Sequence, residues 1–340
     1  MHRALRVSIP NAVVWVVLVT TASAKSAKPL QIYFIDVEGG QATLVVSPSE
    51  RSLLIDAGWA GGSDADRIMA AVKSAGIKKL DYVVITHFHG DHVGGVADLV
   101  QRVKIGTFVD HGSDIEDSAT AKETYAAYTK AITRAARVVV RPGQGLPFKD
   151  IRVQFLAAAG EHLSSPLPGA GEANLYCPSE KEPPVDTTKN SQSLALLITY
   201  GKFRFLDLGD LTTKKELELV CPNNLIGTVD LFLTTHHGGD PDNPKALVWA
   251  LHPRVAVMNN GEHKGGSTEV WQIVHDAPGL EDLWQLHYAA DAGKEHNSAE
   301  NLIANTDAKS DGHFIQVTVE PDGKWRVKNS RNGYEKRYGK

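Results

Sequence analysis

Six residues constrain this chain more than any others: His87-Phe88-His89-Gly90-Asp91-His92, which follow directly on the apolar run Asp81-Tyr82-Val83-Val84-Ile85-Thr86. A run of that length and character reads as a buried strand, so three imidazoles and a carboxylate are expected on the loop at its end. Imidazole nitrogen and carboxylate oxygen are donors that zinc accepts. Alternate side chains of an extended segment point the same way. His87 and His89 can therefore meet one ion, while Asp91 and His92, past the turn, reach a second. Gly90, with no Cβ, lets the loop fold tightly enough for the two groups to converge.

The 340 residues are 42% hydrophobic, ample for a packed core. A net charge of −4 and a pI near 6.4 exclude a surface built to hold nucleic acid through its phosphates alone. No stable nucleic-acid partner is expected, and an anionic substrate must be held locally. The N-terminus is basic at Arg3 and Arg6, apolar over 12–19, and carries Ala22-Ser23-Ala24, the small-x-small pattern of a cleavage site. Residues 1–24 are thus expected to be a signal peptide. The mature chain, 25–340, is expected to be secreted or periplasmic, without a membrane span, since the apolar run is short for one. Losing Arg3 and Arg6 takes the net charge from −4 to −6. Cys177 and Cys221 each precede a proline. An oxidising compartment would let them pair if the fold brings them together, and the sequence leaves a bridge and two separate thiols equally open.

Strand patterns cover 31–36, 42–46, 52–56, 81–86, 137–140, 151–155, 194–200, 203–208, 231–234, 255–258, 283–286 and 314–319, the last expected to end the fold. Helices are expected after Asp64 or Asp66 as cap, and over 116–135, 214–219, 244–250 and 268–275. Residues 157–190, rich in Pro, Gly, Ser and Glu, read as a long loop. Strands in both halves with helices between them predict two packed sheets covered by helices, in one domain.

The segment His87–His92 stands as His-x-His-x-Asp-His, and here the chain resembles the metallo-β-lactamase superfamily. Phe34 to Ala42, Leu53 to Gly58, Asn190 to Leu194, Leu208 to Leu211 and Thr235 to Gly239 extend the likeness, most closely to the ComEC-like hydrolase branch and related choline-phosphate esterases. The resemblance implies an α/β fold, a four-layer αββα sandwich with the site at one edge. It implies two zinc ions per chain, or manganese. His87 and His89 would hold one ion, Asp91 and His92 the other, and Asp210 would bridge them, although Asp210 alone could be a helix cap. Asp91 and Asp210 are the candidate catalytic carboxylates. Asn190 or Ser191 stands where many members carry a third histidine, so a ligand must come from elsewhere. The resemblance points to His237 in preference to His236. His263 is a candidate last ligand, with His287 and His296 competing. Asp56 would orient a ligand histidine. Asn190 and Lys264 are candidate substrate contacts, and Lys264, before two glycines and Ser267, could hold an anion.

The implied chemistry is hydrolysis by metal-activated water, with no Ser or Cys nucleophile. The expected substrate is a small molecule or phosphoester, most of all a phosphoester or phosphodiester. A lactone or β-lactam is the alternative, and a non-catalytic zinc-binding protein is the alternative of another class. Two-iron relatives carry glutamate where His89 stands and need a flavin domain for which this length leaves no room.

Overall fold

The computed structural model describes residues 28–178, 186–307 and 311–339. The expected signal peptide lies outside the described residues, as does part of the expected loop 157–190.

Two large sheets face each other. The first runs in the order Glu335–Tyr338, Trp325–Asn329, Phe314–Val319, Leu30–Ile35, Thr43–Val46, Ser52–Ile55, Lys79–Val84, Lys104–Asp110, Ala136–Val139. The second runs Ile303–Asn305, Asp282–His287, Val255–Met258, Leu231–Leu233, Phe203–Asp207, Ala195–Tyr200, Arg152–Ala158, Gly145–Leu146, with Glu161–His162 paired beside Arg152–Ala158.

Side-chain alternation makes the layers. In Leu30–Ile35, Ile32 and Phe34 cluster with Phe155, Leu196, Phe205, Leu231 and Val257 of the opposite sheet. Tyr33 and Ile35, one step along, pack instead on Ile68, Val72, Val96, Leu99 and Tyr128 from helices outside the first sheet. On the second sheet, Leu197, Leu206, Phe232 and Ala256 turn outward onto Leu219, Leu247, Val270 and Val274. Both faces of each sheet are covered, which is why Thr43–Val46 and Ser52–Ile55 are buried at every position and read as continuous apolar runs. The result is the expected αββα sandwich.

The outer helices are Ser63–Ser74, Val96–Leu99 and Ala119–Ala131 on one side, and Thr213–Val220, Lys245–Leu251 and Thr268–His275 on the other. Ser118 and Ser267 cap two of them, accepting from the N–H groups of Ala121 (3.1 Å) and Val270 (3.3 Å). Asp64 and Asp66 are not caps. The first helix starts before them, after Gly62 in the left-handed region, and Asp64 instead accepts from the N–H of Trp59 at 2.8 Å.

The fold does not end at Phe314–Val319. Trp325–Asn329 and Glu335–Tyr338 continue the first sheet as an antiparallel meander. Their alternating charged residues suit a sheet edge and hide the apolar signal. Cys177 and Cys221 form a disulfide, their Cα atoms 5.8 Å apart. With the bridge between Ala173 and Asn223, it staples the long loop to the segment after Thr213–Val220. No helix among the described residues is long and apolar enough to cross a membrane.

Ser52–Ile55, Lys79–Val84 and Lys104–Asp110 are parallel, as are Phe203–Asp207, Leu231–Leu233, Val255–Met258 and Asp282–His287. Open α/β sheets present functional groups beyond the carboxyl ends of such strands. Asp56, 86–92, Asp210, 235–239 and 259–264 all lie there. The two sheets are tied at that end by Leu194 N–H to Thr86 O (2.9 Å) and by the Gln41 amide on both carboxylate oxygens of Asp207 (2.9 and 3.1 Å).

Candidate metal centre

Three strand ends bring the polar side chains together. After Lys79–Val84 the chain turns into the one-turn helix Gly90–Val93, which buries Asp91 and His92 beside His87. Asp210 approaches from the second sheet. A Cβ on Gly209 (φ 55°) would stand 3.0 Å from Thr86 Cβ, so glycine is what lets this strand end come so near the histidine loop. His236 and His237 both occupy the left-handed region (φ 50° and 58°), which side chains hold at a cost of roughly 1–3 kcal/mol each. Neighbouring structure enforces it. Asn243 accepts from Thr235 N–H and donates to Thr235 O, both at 2.8 Å, and its own N–H donates to the buried Glu216 carboxylate at 3.0 Å. Two adjacent side chains that would ordinarily diverge thus face one point.

That point is Asp210 Oδ2. The Nε2 atoms of His92, His237, His236 and His87 lie 3.1, 3.4, 3.7 and 3.8 Å from it. Asp91 Oδ2 lies 3.2 Å from His237 Nε2 and 3.4 Å from His92 Nε2. His89 Nδ1 is 2.9 Å from His87 Nε2, and its Nε2 is 3.8 Å from Glu116. Asp91, His92, Asp210 and His237 offer ligand atoms that all fall within 4.8 Å of one another.

The donor set fits a metal ion. Each of four imidazoles has an outside partner at Nδ1: Asp56 for His92 (2.7 Å), Asp242 for His236 (2.7 Å), Thr86 Oγ1 for His87 (3.2 Å) and the Asn259 amide for His237 (3.2 Å). Such partners fix the ring and aim the other nitrogen inward. Asp210 Oδ1 is buried and finds no hydrogen-bond donor, a cost that folded proteins rarely leave unmet. The charge balance agrees. Burial opposes a proton on His92, yet Asp210, Asp91 and Asp56 together push its pKa well above the ordinary imidazole value. The pocket calls for positive charge. Asp56→Asn should weaken metal binding by about 10–100-fold, because His92 loses its carboxylate partner. Competition with a chromophoric chelator measures this, and unchanged affinity would confine Asp56 to holding the Thr86 turn, whose N–H and hydroxyl it also accepts.

Asn190 sits at the rim, its Nδ2 3.4 Å from His236 Nε2. It lines a cavity of about 840 Å³ with His89, Glu116, Lys189, Lys214 and His236. His263 is corrected by the structure: its side chain is 63% exposed and pairs with Asp291 at 3.1 Å, because the turn directs it away from the centre. His287 bonds the Tyr288 carbonyl, and His296 packs on Trp271. Lys264, expected to await an anion, bonds Asp91 instead. Sequence reasoning missed Asp242, Asn259 and Lys189. Buried Lys189 pairs with Asp114 (3.1 Å) and Glu116 (3.4 Å) behind His89. No local periodicity marks any of the three.

Among solved structures, the metallo-beta-lactamase fold protein YhfI from Bacillus subtilis overlays with a TM-score of 0.47 and 14% identity, covering 85% of this chain and 99% of that one. ComE operon protein 3 of Bacillus subtilis is 26% identical over 250 residues, which is 68% of this chain and 28% of that protein. Recombination protein 2 of Haemophilus influenzae is 24% identical over 234 residues, 68% of this chain and 24% of that protein. This chain matches only about a quarter of each relative's length. The family model of the metallo-beta-lactamase superfamily matches residues 35–181, the stretch that holds Asp56 and His87 to His92. Residues 35–181 thus carry the metallo-β-lactamase superfamily pattern, and the relatives fit the ComEC-like branch.

Proposed function

We propose that this chain is an exported metal-dependent hydrolase of phosphoesters, with phosphodiesters as the preferred class. The observation that carries the reading is the convergence of His87, His92, His236 and His237 on Asp210, with His89 and His236 reaching the wall of an adjoining cavity of about 840 Å³. A bound zinc or manganese ion would bring a water toward ionisation at neutral pH and polarise the substrate oxygen. Asp91, His92, Asp210 and His237 are the side chains that would hold it, with His89 and His236 toward the cavity. Asp242 keeps the His236 ring turned inward through its Nδ1. The cavity wall also carries Thr187, Thr188, Thr212, Thr213 and Lys214, residues that can bond phosphate oxygens, beside the carboxylates of Glu116, Asp186 and Asp242. The likeness to the ComEC-like branch supports the same substrate class, and the Cys177–Cys221 bridge supports an extracytoplasmic location.

Purified protein tested on bis-p-nitrophenyl phosphate should hydrolyse it with zinc or manganese present, lose at least about 10²-fold in rate with a chelator, and recover on metal return. Nitrocefin should stay intact. Nitrocefin turnover without phosphodiester cleavage would replace this reading by a lactam or lactone hydrolase. Bound metal with neither activity would favour a non-catalytic zinc-binding protein.

A further inference from the structure

Asp91 and Asp210, the two carboxylates of the ligand cluster, follow strands of different sheets, so their spacing must be set by a contact between the sheets. Gln41 is placed to set it. Its N–H donates to Asp91 O at 3.0 Å, and its carbonyl accepts from Gly58 N–H at 3.0 Å. A Cβ on the preceding Gly40 would stand 2.5 Å from that same Asp91 oxygen, so a glycine is what lets this turn lie against the histidine loop. The Gln41 side chain then reaches the other sheet. Its Nε2 donates to Asp207 Oδ2 at 2.9 Å and to Oδ1 at 3.1 Å, and Oδ1 also accepts at 3.0 Å from the N–H of Gly209, the residue before Asp210.

Gln41 and Asp207 are each 1% exposed. Water cannot replace either partner there, and a buried amide or carboxylate left unpaired is costly. Asp207 does not belong to the ligand cluster, so its two oxygens serve Gln41 and the Gly209 N–H. The ligand atoms at the two ends of this path are close. Asp91 Oδ2 and Asp210 Oδ2 both face His92 Nε2, at 3.4 and 3.1 Å, and His237 Nε2, at 3.2 and 3.4 Å. Metal–ligand distances vary by only about 0.2 Å, so a small slip of one sheet end against the other would be felt by an ion held between them.

We propose that Gln41 is a positioning residue of the metal centre: by clasping Asp207 while bonded to the Asp91 backbone, it sets the spacing of Asp91 and Asp210 and with it the affinity for metal. This rests on the metal-binding reading above. Competition with a chromophoric chelator for zinc, on the full chain and well below its unfolding transition, reads the affinity of native molecules without any activity. A contact that merely stabilised the fold would leave that affinity unchanged. Gln41→Glu, which sets two carboxylates face to face, should bind zinc about 10–100-fold more weakly. Adding Asp207→Asn exchanges donor and acceptor: the new amide keeps an oxygen for the Gly209 N–H and donates to the new carboxylate. The double variant should return to within about threefold of wild type. Wild-type affinity in a folded Gln41→Glu, or a double variant as weak as the single one, overturns the proposal and leaves the metal reading standing. If Gln41→Glu does not fold, Gln41→Met, which removes the donor without adding charge, takes its place. It should show the same loss, which Asp207→Asn should not repair, and wild-type affinity with or without that second change overturns the proposal. No zinc bound by wild type would overturn the metal reading itself.

Discussion

Asp210→Asn should strip the centre of metal and lower turnover by about 10³-fold or more, a loss of roughly 4 kcal/mol in transition-state stabilisation. The amide has nearly the shape of the carboxylate, so the change is one of charge. Four imidazole Nε2 atoms lie within 3.8 Å of Asp210 Oδ2, and its Oδ1 has no other partner. In the native protein, burial works against a negative charge on Asp210, but His92 and His237 hold its pKa well below the usual carboxylate range. An amide would turn N–H groups toward nitrogens that need their lone pairs for metal. The variant should keep the wild-type circular dichroism, hold less than about a tenth of the metal and resemble chelator-treated wild type. Metal content and turnover both at wild-type level would remove Asp210 from the centre.

Phe205→Ala should cost about 3–5 kcal/mol of folding stability, the largest effect expected of a single core truncation here. Phe205 is fully buried between the sheets and meets the Phe34 ring edge-on, with centroids 5.4 Å apart and planes at 84°. It pairs in register with Ile198 on one side and Leu231 on the other, so strands on both sides hold the site of the missing ring open. A lower guanidinium midpoint at unchanged slope would show it. Chelator must be present, because metal bound to the native state would mask part of the loss. A change under about 1 kcal/mol would mean that the sheets close over the gap. Val139, half exposed on the edge strand Ala136–Val139, is the control: Val139→Ala should stay within about 0.5 kcal/mol.

The layering was legible because both sheets are buried on both faces, and continuous apolar runs such as 43–46 and 52–55 survive in any context. Trp325–Asn329 and Glu335–Tyr338 were not, since their charged positions only become strand positions once Phe314–Val319 offers a partner. The Cys177–Cys221 bridge is of the same kind: two loop residues 44 apart have no local signature of their pairing.

The metal centre divides along the same line. His87 to His92 could be read by itself, because a strand followed by a tight turn is local and dictates which donors share a loop. The other side of the centre could not. His236 and His237 face one carboxylate through two left-handed residues that Asn243 and Glu216 enforce. Whether His263 or Lys264 enters depends on the bend at Gly265 and Gly266 and on Gly39, where a Cβ would stand 2.8 Å from Lys264 Cβ. Sequence determined the strand, its histidine loop and the kind of chemistry they suit. Tertiary structure decided which distant side chains complete the centre, because a side chain's direction is set by backbone conformation and by contacts with residues far along the chain.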